Sequence, residues 1–326
     1  MNLKHYNLKL TPISPIHIGT GQAYEPTNYI IDKDRVKDKE YNYLYAFDEF
    51  LFFRNLPDKD KADFANKLDA KADAKTILDI QRFIKSRAQI AKNIAYKKSI
   101  VSSEIAKDYN DKIGQFAQRE QGVINQMVIE KTYTSPNLNK ALIPGSSLKG
   151  AIATALREKS LSNLIIADST IINSSTIIAE AINIKRRRDA PGGGLKTKME
   201  AIATTSAFQT KLSLKFNENS NLDINKLITQ CNKHYLPIFL SQFSYESDEN
   251  TRAKLNSEFV KKYENFKPSP NQFLLRVGKH SGARRAVTFD GQRQIWNQKT
   301  RENMEEETTT WIINKRPFGW LLCEVE

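Results

Sequence analysis

Four segments of this sequence combine glycine with hydroxyl or cationic side chains, the residue types that bind a phosphate backbone. They are HIGTG, PGSSLKG, KRRRDAPGGGLKTK and RVGKHSGARR. Glycine allows main-chain N–H groups to approach a phosphate closely, and lysine or arginine supplies the electrostatic attraction. One such loop is common on a protein surface, but four in one chain favour a protein that binds the backbone of a nucleic acid. Such contacts are largely blind to base sequence.

The candidate RNA-binding residues are the glycines, hydroxyls, histidines and cations of these loops. They are His17, Gly19, Gly21, Ser146, Ser147, Lys149, Arg186, Arg187, Arg188, Gly193, Lys196, Lys198, Gly278, Lys279, His280, Ser281, Gly282, Arg284 and Arg285. The composition agrees, because 50 Lys and Arg exceed 37 Asp and Glu and give a formal net charge of +13, which suggests a polyanionic partner. The stacking-aromatic signature of RNA-recognition sheets is missing. We therefore expect loops and hairpins to contact the RNA.

Other site chemistries are poorly supported by the residues. Gly145 and Gly150 have the spacing of a nucleotide-binding P-loop, but alanine and isoleucine follow where lysine and a hydroxyl residue belong, which argues against NTP hydrolysis. PGGGLKTK lacks the last glycine of the GxGxxG pattern, and no buried strand is predicted to lead into it, as a dinucleotide site requires. Cys231 and His234 form at most half a zinc site. We expect no cofactor and no metal.

Two features keep an RNA-cleaving enzyme open as the alternative. His17 lies beside glycines, where a metal-independent ribonuclease can hold a general acid or base. The competing interpretation is a histidine hydrogen-bonded to the backbone, because no orienting neighbour is evident. Asp32 and Asp34, predicted in a charged turn, could hold Mg²⁺, although such a site needs more oxygen ligands than the turn displays. A protein-only scaffold, whose charge serves solubility, is a third alternative.

Hydrophobic periodicity predicts the elements that position the first two loops. Alternation predicts a strand that ends at Pro12, and two further strands are predicted before residue 48. Apolar spacings of three and four predict helices over about 48–117. The clearest stripe consists of Ile77, Ile80, Ile84, Ala88, Ala91 and Ala95. A helix capped by Ser146 or Ser147 follows.

The second half of the chain is predicted to alternate strands and helices. Shared parity of apolar residues predicts one long strand over 200–216, after a mobile hairpin tip formed by the basic run. A helix is predicted over about 223–245, and strands on either side of a basic glycine loop complete the chain. The sequence shows no apolar run of membrane-spanning length and no signal-peptide pattern. With two cysteines outside any CxxC, we expect a cytoplasmic protein with no membrane contact.

Several of these stretches resemble the RAMP superfamily of CRISPR-associated proteins. They are LTPISPIHIGTGQAYEPTNYII, IPGSSLKGAIATALRE, RVGKHSGARRAVTF and RPFGWLLCEVE, which together span the chain. The second is shared by many RAMP proteins. GKHSGA and the terminal PFGW more specifically resemble the family of fifth subunits of type III-A (Csm) effector complexes.

The resemblance implies an α+β fold of two ferredoxin-like (RRM-like) modules, whose strands can interleave, with a helical insertion. The expected N-terminal module covers 1–217 and includes the insertion at about 48–117, which we expect to pack against a neighbouring subunit. The C-terminal half covers 218–326 and holds the glycine-rich loop. The helix that starts at Ser146 would be the first crossover helix on the sheet.

The resemblance also implies a non-catalytic role in a ribonucleoprotein. The protein would bind the 3′ region of the CRISPR RNA at the end of the complex, beside the repeating backbone RAMP subunit, and would meet target RNA only indirectly. It would support assembly and 3′-end maturation of the guide, with a host exonuclease doing the cutting. By analogy, residues 186–198 would form a thumb-like hairpin across the guide, and residues 278–282 a loop at the sheet edge. The related backbone subunit cuts target RNA with an aspartate of an early loop, which keeps Asp32 as an alternative.

Overall fold

The computed structural model describes residues 2–71, 73–120, 122–158, 161–190, 192–216, 222–280, 295–297, 301–304 and 307–326. Helices and strands are mixed along these ranges. The helices are α1 (Glu49–Arg54), α2 (Asp58–Leu68), α3 (Ala74–Ser86), α4 (Ala88–Ile94), α5 (Ser103–Lys112), α6 (Gly145–Leu156), α7 (Ile224–Ser241), α8 (Glu249–Lys254) and α9 (Ser257–Tyr263). The strands are β1 (Asn2–Pro12), β2 (Gly19–Tyr24), β3 (Tyr29–Val36), β4 (Lys39–Ala46), β5 (Lys97–Val101), β6 (Phe116–Gln118), β7 (Val123–Ile124), β8 (Ile129–Thr132), β9 (Leu164–Ile166), β10 (Thr170–Asn173), β11 (Thr176–Lys185), β12 (Lys196–Ile202), β13 (Ala207–Phe216), β14 (Gln272–Arg276), β15 (Ile295–Asn297), β16 (Glu302–Met304), β17 (Thr309–Ile313), β18 (Arg316–Pro317) and β19 (Trp320–Val325).

The first sheet has six strands and contains the first and last strands of the chain. Its order is β10-β13-β1-β19-β14, with β9 also paired to β13, and every pair is antiparallel. The predicted alternation in β1 is confirmed, since Leu8 and Leu10 are buried while Lys9 is exposed. Because β19 lies between β1 and β14, the two halves of the chain complete one sheet.

Helices α6 and α7 pack together against this sheet and enclose its main core. The Tyr235 hydroxyl of α7 donates to the Ala151 carbonyl of α6 over 2.8 Å, and the Phe239 ring lies 4.9 Å from the Trp320 ring of β19. Asp223 caps α7 by accepting from the Lys226 N–H at 2.8 Å. The helix predicted over 223–245 is therefore confirmed, with its end at Ser241.

The second sheet has nine strands. They include β2, which overlaps the first predicted loop, and β11 and β12, which flank the basic run. The strand order is β2-β8-β12-β11-β5-β4-β3, with β17 on β11 and β18 on β17. The single long strand predicted over 200–216 is wrong, because the chain turns at 203–206 and sends β12 and β13 into different sheets. The Ser206 N–H donates to the Ala203 carbonyl in that turn. The apolar residues keep the same alternation on both sides of the turn, so the sequence pattern does not show where the chain turns.

The predicted helical insertion contains α1 to α5, with β5 between α4 and α5. Helix α3 stops before Arg87, and α4 follows directly. The predicted stripe is correct at Ile84 and Ala91, which are buried, but wrong at Ile77, which is 39% exposed. Phe83 faces the core instead and lies 5.0 Å from Phe64 of α2, ring centre to ring centre.

The α+β class is confirmed by these two mixed layers of strands and helices. In the first sheet β13 lies between β10 and β1, and β19 lies on the other side of β1. The division into two ferredoxin-like modules and its boundaries stay a prediction. None of the described helices is long and apolar enough to cross a membrane.

Candidate nucleic-acid interface

The first and fourth predicted loops meet in the structure. The Lys279 N–H donates to the His17 carbonyl oxygen over 2.8 Å. Gly278 has φ +85°, and a Cβ added there would lie 2.3 Å from the same oxygen. The glycine is therefore required by the contact between the loops, and its presence is not by itself evidence for a bound phosphate. Gly19 and Gly21 lie farther along the first loop and are exposed.

The His17 side chain is enclosed, with only 1% of its surface exposed. Its Nδ1 lies 2.6 Å from the Glu200 carbonyl oxygen, so Nδ1 carries the proton and donates it to that carbonyl. Nε2 lies 3.5 Å from a Glu130 carboxylate oxygen. Burial lowers the pKa of His17 and keeps the ring neutral. His17 is thus the backbone-bonded histidine of the competing interpretation, and we leave it out of the proposed RNA contacts.

The described part of the fourth loop is bound to the protein itself. Lys279 Nζ lies 2.6 and 2.8 Å from the two carboxylate oxygens of Glu130. The His280 ring stacks on Trp311 at 3.8 Å between ring centres, and burial, followed by the charge of Lys279, lowers the pKa of His280 to about 4. Four predicted residues of this loop lie outside the described ranges. They are Ser281, Gly282, Arg284 and Arg285.

A buried carboxylate holds the strands beneath these loops. Glu200 of β12 is fully enclosed and lies 2.6 Å from Lys97 Nζ of β5. Its oxygens also accept from the Tyr24 hydroxyl at 3.2 Å, the Thr132 N–H at 3.3 Å and the Ser99 hydroxyl at 3.3 Å. One side chain therefore ties three other strands, β2, β5 and β8, to β12, and the buried charge has both the partner and the hydrogen bonds that it requires.

The basic run forms the connection of a hairpin, as predicted, between β11 and β12. Arg186 differs from the prediction because its guanidinium is buried and makes two hydrogen bonds, of 2.9 and 2.7 Å, to Asp248. It cannot bind a phosphate without breaking that pair, so we omit it from the proposed contacts. Arg187 is exposed and lies 2.8 Å from the equally exposed Asp189. Arg188 is exposed, and its backbone N–H donates to Glu249.

The remaining hairpin residues divide into exposed and packed ones. Lys196 is exposed and lies 2.8 Å from Glu180. Lys198 is half-buried and lies 2.5 Å from Asp108. Gly193 has φ +84°, and a Cβ there would lie 3.2 Å from the Lys185 nitrogen. Arg187, Arg188 and Lys196 are thus the predicted hairpin cations that solvent reaches most freely.

The start of α6 is already occupied by a carboxylate. The predicted cap by Ser146 or Ser147 is wrong, because the N-cap residue is Pro144 and the Gly145 N–H donates to Asp168 Oδ1 over 2.8 Å. A Cβ at Gly145 would lie 2.3 Å from the Ile166 carbonyl oxygen, so this glycine permits close packing of the backbone. Ser146 is exposed, whereas Ser147 and Lys149 are half-buried.

Asp32 and Asp34 lie on strand β3 and not in a turn, which corrects the sequence-based placement. Asp32 lies 2.6 Å from Lys92 Nζ. Asp34 pairs with Lys98 and accepts from the Tyr45 hydroxyl, and the hydrogen bond from Lys98 is the main cause that lowers the pKa of Asp34. Both carboxylates therefore form ion pairs with lysines of the protein itself. Within the described ranges, no three His, Cys, Asp or Glu side chains are grouped to hold a metal ion.

A groove that the sequence patterns did not indicate runs beside the first loop. Two cavities, of about 580 and 370 Å³, share Tyr96, Lys97 and Asn139 in their walls. The larger one is lined by Thr20, Gln22, Tyr24, Lys131, Thr132, Tyr133, Thr134 and Pro136. The smaller one is lined by Tyr43, Lys98, Ile100, Leu138, Lys140, Ala141, Ser174, Ser175 and Thr176. Tyrosines, lysines, hydroxyls and two amides thus come together from five separate segments of the chain.

Solved structures share this fold over the whole chain. One is a chain of the "Csm-crRNA-target RNA ternary complex in type III-A CRISPR-Cas system", studied by cryo-EM, with 15% identity and a TM-score of 0.63, covering 98% of this chain and 100% of that one. Another is the crystal structure of Csm5 from T. onnurineus, with 13% identity and a TM-score of 0.56, covering 96% and 99%. The fold is that of Csm proteins. No family model and no curated protein matches the chain.

Proposed function

We propose that this chain is a non-catalytic, RNA-binding subunit of a type III-A CRISPR effector complex. It binds the 3′ region of the CRISPR RNA and lies beside the repeating backbone RAMP subunit. The observation that carries the proposal is the whole-chain similarity to a subunit of a complex that contains CRISPR RNA and target RNA. The similarity covers 98% of this chain and 100% of that one.

The charge of the chain supports an RNA partner. If each of the 37 acidic residues neutralised one of the 50 basic residues, a net charge of +13 would remain. Many carboxylates form ion pairs within the protein, as they do with Arg186, Lys97 and Lys279. The exposed cations of the β11–β12 connection are the strongest predicted contacts that remain. Single-stranded RNA would gain affinity from them by release of counterions.

The enzyme alternative has less support from the geometry. The His17 ring is enclosed and neutral, and Asp32 is engaged by Lys92. In our proposal, trimming of the guide belongs to a host exonuclease, and the subunit defines how much of the 3′ end is protected. The exposed Phe50 and Leu68 of the helical insertion support its proposed role in packing against a neighbouring subunit.

The test compares RNA binding by the wild type and by R187A/R188A, with K59A/K75A as the control. The control removes two exposed lysines from α2 and α3, so both variants lose the same charge. We expect weaker binding to guide RNA of any sequence only for the hairpin variant. Its plot of log affinity against log salt should be less steep by about 1.4, because each single-strand phosphate contact contributes about 0.7. An unchanged affinity and slope would remove the hairpin from the site.

Two outcomes would overturn the proposed function itself. Absence of RNA binding by the wild-type protein near physiological salt would favour the protein-only scaffold. Cleavage of guide precursor or target RNA by the purified protein, with or without Mg²⁺, and its loss in H17A or D32N, would show a ribonuclease.

A further inference from the structure

The exposed ring of Tyr96 marks the centre of the groove described above. Tyr96 is 44% exposed and lines both cavities. It follows α4 directly and precedes β5, and its backbone N–H donates to the Ala46 carbonyl at the end of β4 over 3.0 Å. The backbone that bears the ring is therefore held by the sheet. A fixed, half-exposed aromatic ring inside a groove is a surface on which a planar group can stack.

The charge along the groove is positive. Two of its lysines are neutralised, Lys97 by Glu200 and Lys98 by Asp34. Neither Lys131 nor Lys140 takes part in an ion pair with a carboxylate of the described residues, and no Asp or Glu among these residues lines either cavity. Lys131, whose ammonium lies 4.6 Å above the Tyr24 ring, lines one cavity and Lys140 lines the other, so both cavities that share Tyr96 would attract a chain of negative charges.

The polar atoms of the groove fit a nucleotide better than an acidic peptide. Hydroxyl groups line both cavities, Thr20 and Thr134 the larger and Ser175 the smaller, and the amide of Asn139 lines both. Amides and hydroxyls can bind base edges and the ribose 2′-hydroxyl. An acidic peptide would use the lysines but would need no exposed ring face. The combination of lysines, a ring and an amide is that of single-stranded RNA binding, in which bases leave the helical stack.

We propose that this groove binds a single-stranded segment of RNA, with one base stacked on Tyr96 and the flanking phosphates beside Lys131 and Lys140. The inference rests on the proposed function and adds a contact to a base, whereas the loops were expected to contact only the backbone. Stacking tolerates any sequence because each base has an aromatic face. The affinity of the groove would therefore depend on the presence of a base at this position and not on which base it is.

The first test measures RNA affinity for Y96A, Y96F and the control I165A, which removes an apolar side chain that is 45% exposed on β9. We expect Y96A to weaken binding by about 5- to 150-fold, the range for loss of one stacked base. Y96F should bind as the wild type does, because the ring and not the hydroxyl makes the contact. Equal affinities of Y96A, I165A and the wild type would overturn the proposal.

The second test scans a single abasic site along the RNA. In the wild type, one abasic position should reduce affinity by the factor seen for Y96A, and in Y96A the same position should have no further effect. Additive losses at every position would overturn stacking on Tyr96. K131A/K140A should reduce the salt slope by about 1.4, unlike K59A/K75A.

The outcomes separate this inference from the proposed function. If R187A/R188A weakens RNA binding and Y96A does not, the groove is wrong and the RNA-binding role stands. If the wild type binds no RNA, the proposed function is wrong at its base. If Y96A retains RNA affinity but loses the neighbouring protein subunit, the groove is a protein interface, which also overturns the inference.

Discussion

The buried ion pair between Lys97 and Glu200 gives a sharp test of how strands β5 and β12 of the second sheet are held together. We consider replacing each residue by methionine, alone and together, because methionine is close to both in length and leaves no large cavity. Glu200 is fully enclosed, and the Lys97 side chain is 8% exposed. Either single variant therefore leaves one charge buried without its partner.

The magnitude follows from what each variant leaves behind. Removal of one partner of a buried pair costs about 3–5 kcal/mol. E200M should reach this range, since Lys97 loses its carboxylate while Tyr24 and Thr132 lose an acceptor. K97M should cost less, because the carboxylate keeps its three hydrogen-bond donors. The double variant holds no buried charge, so its loss should be near that of E200M alone and about 2 kcal/mol smaller than the sum of the single losses.

The assay is urea unfolding of the four proteins, followed by circular dichroism and tryptophan fluorescence. The control is the same cycle on Lys33 and Glu40, an exposed pair at 2.7 Å whose side chains are 63% and 48% exposed. Exposed pairs couple by about 0–1 kcal/mol. If the losses in the Lys97–Glu200 cycle add to within about 0.5 kcal/mol, the two charges do not depend on each other and the reasoning is refuted.

Two further predictions concern the meeting of the first and fourth loops. G278A should cost at least about 1–3 kcal/mol, because the left-handed backbone and the His17 carbonyl at 2.3 Å both exclude a Cβ, whereas G150A in α6 should gain about 0.5–1 kcal/mol; equal urea midpoints would contradict this. The folded pKa of His280, about 4, lies below its ordinary 6.5, so the unfolded chain takes up the proton first and stability should fall as the pH drops from 6.5 towards 4. H280F, which keeps a ring on Trp311, should lose less between pH 7.5 and 5, and an unchanged pH dependence would refute the assignment.

Local sequence patterns correctly predicted the strands and helices that depend on residues close together in the chain. Strand β1 has one buried and one exposed face, and α7 has an acidic cap at Asp223 followed by an apolar stripe. The hairpin that bears the basic run was predicted from its consecutive glycines, and the terminal strands from their positions on either side of the turn KRPFG. Alternation and capping act over a few residues, so the sequence displays them directly.

The predictions that failed concern residues whose partners in the fold are far away in the sequence. Arg186 belongs to a cluster of arginines, and only the fold brings Asp248 to 2.7 Å from it. The carboxylate that accepts from the first N–H of α6 belongs to Asp168, 23 positions from Gly145 in the chain. The groove is built from segments near Thr20, Tyr96 and Asn139, of which only the first belongs to a loop that the sequence singled out. A local pattern cannot show which charges will be neutralised or which rings will share a cavity.

The glycine-rich loops therefore have two different explanations, and the structure separates them. Gly145 and Gly278 face a backbone at 2.3 Å, so packing alone requires glycine there. Gly150 has no heavy atom within 4 Å of a Cβ position and an ordinary helical backbone, so the fold requires nothing of it, whereas Gly21 has the same open space but a φ of +75° that favours glycine. If the glycines served only the fold, alanine at 150 would be neutral or stabilising in every assay. If instead G150A strengthens the fold and weakens RNA binding, a ligand and not the protein needs the open space at that position.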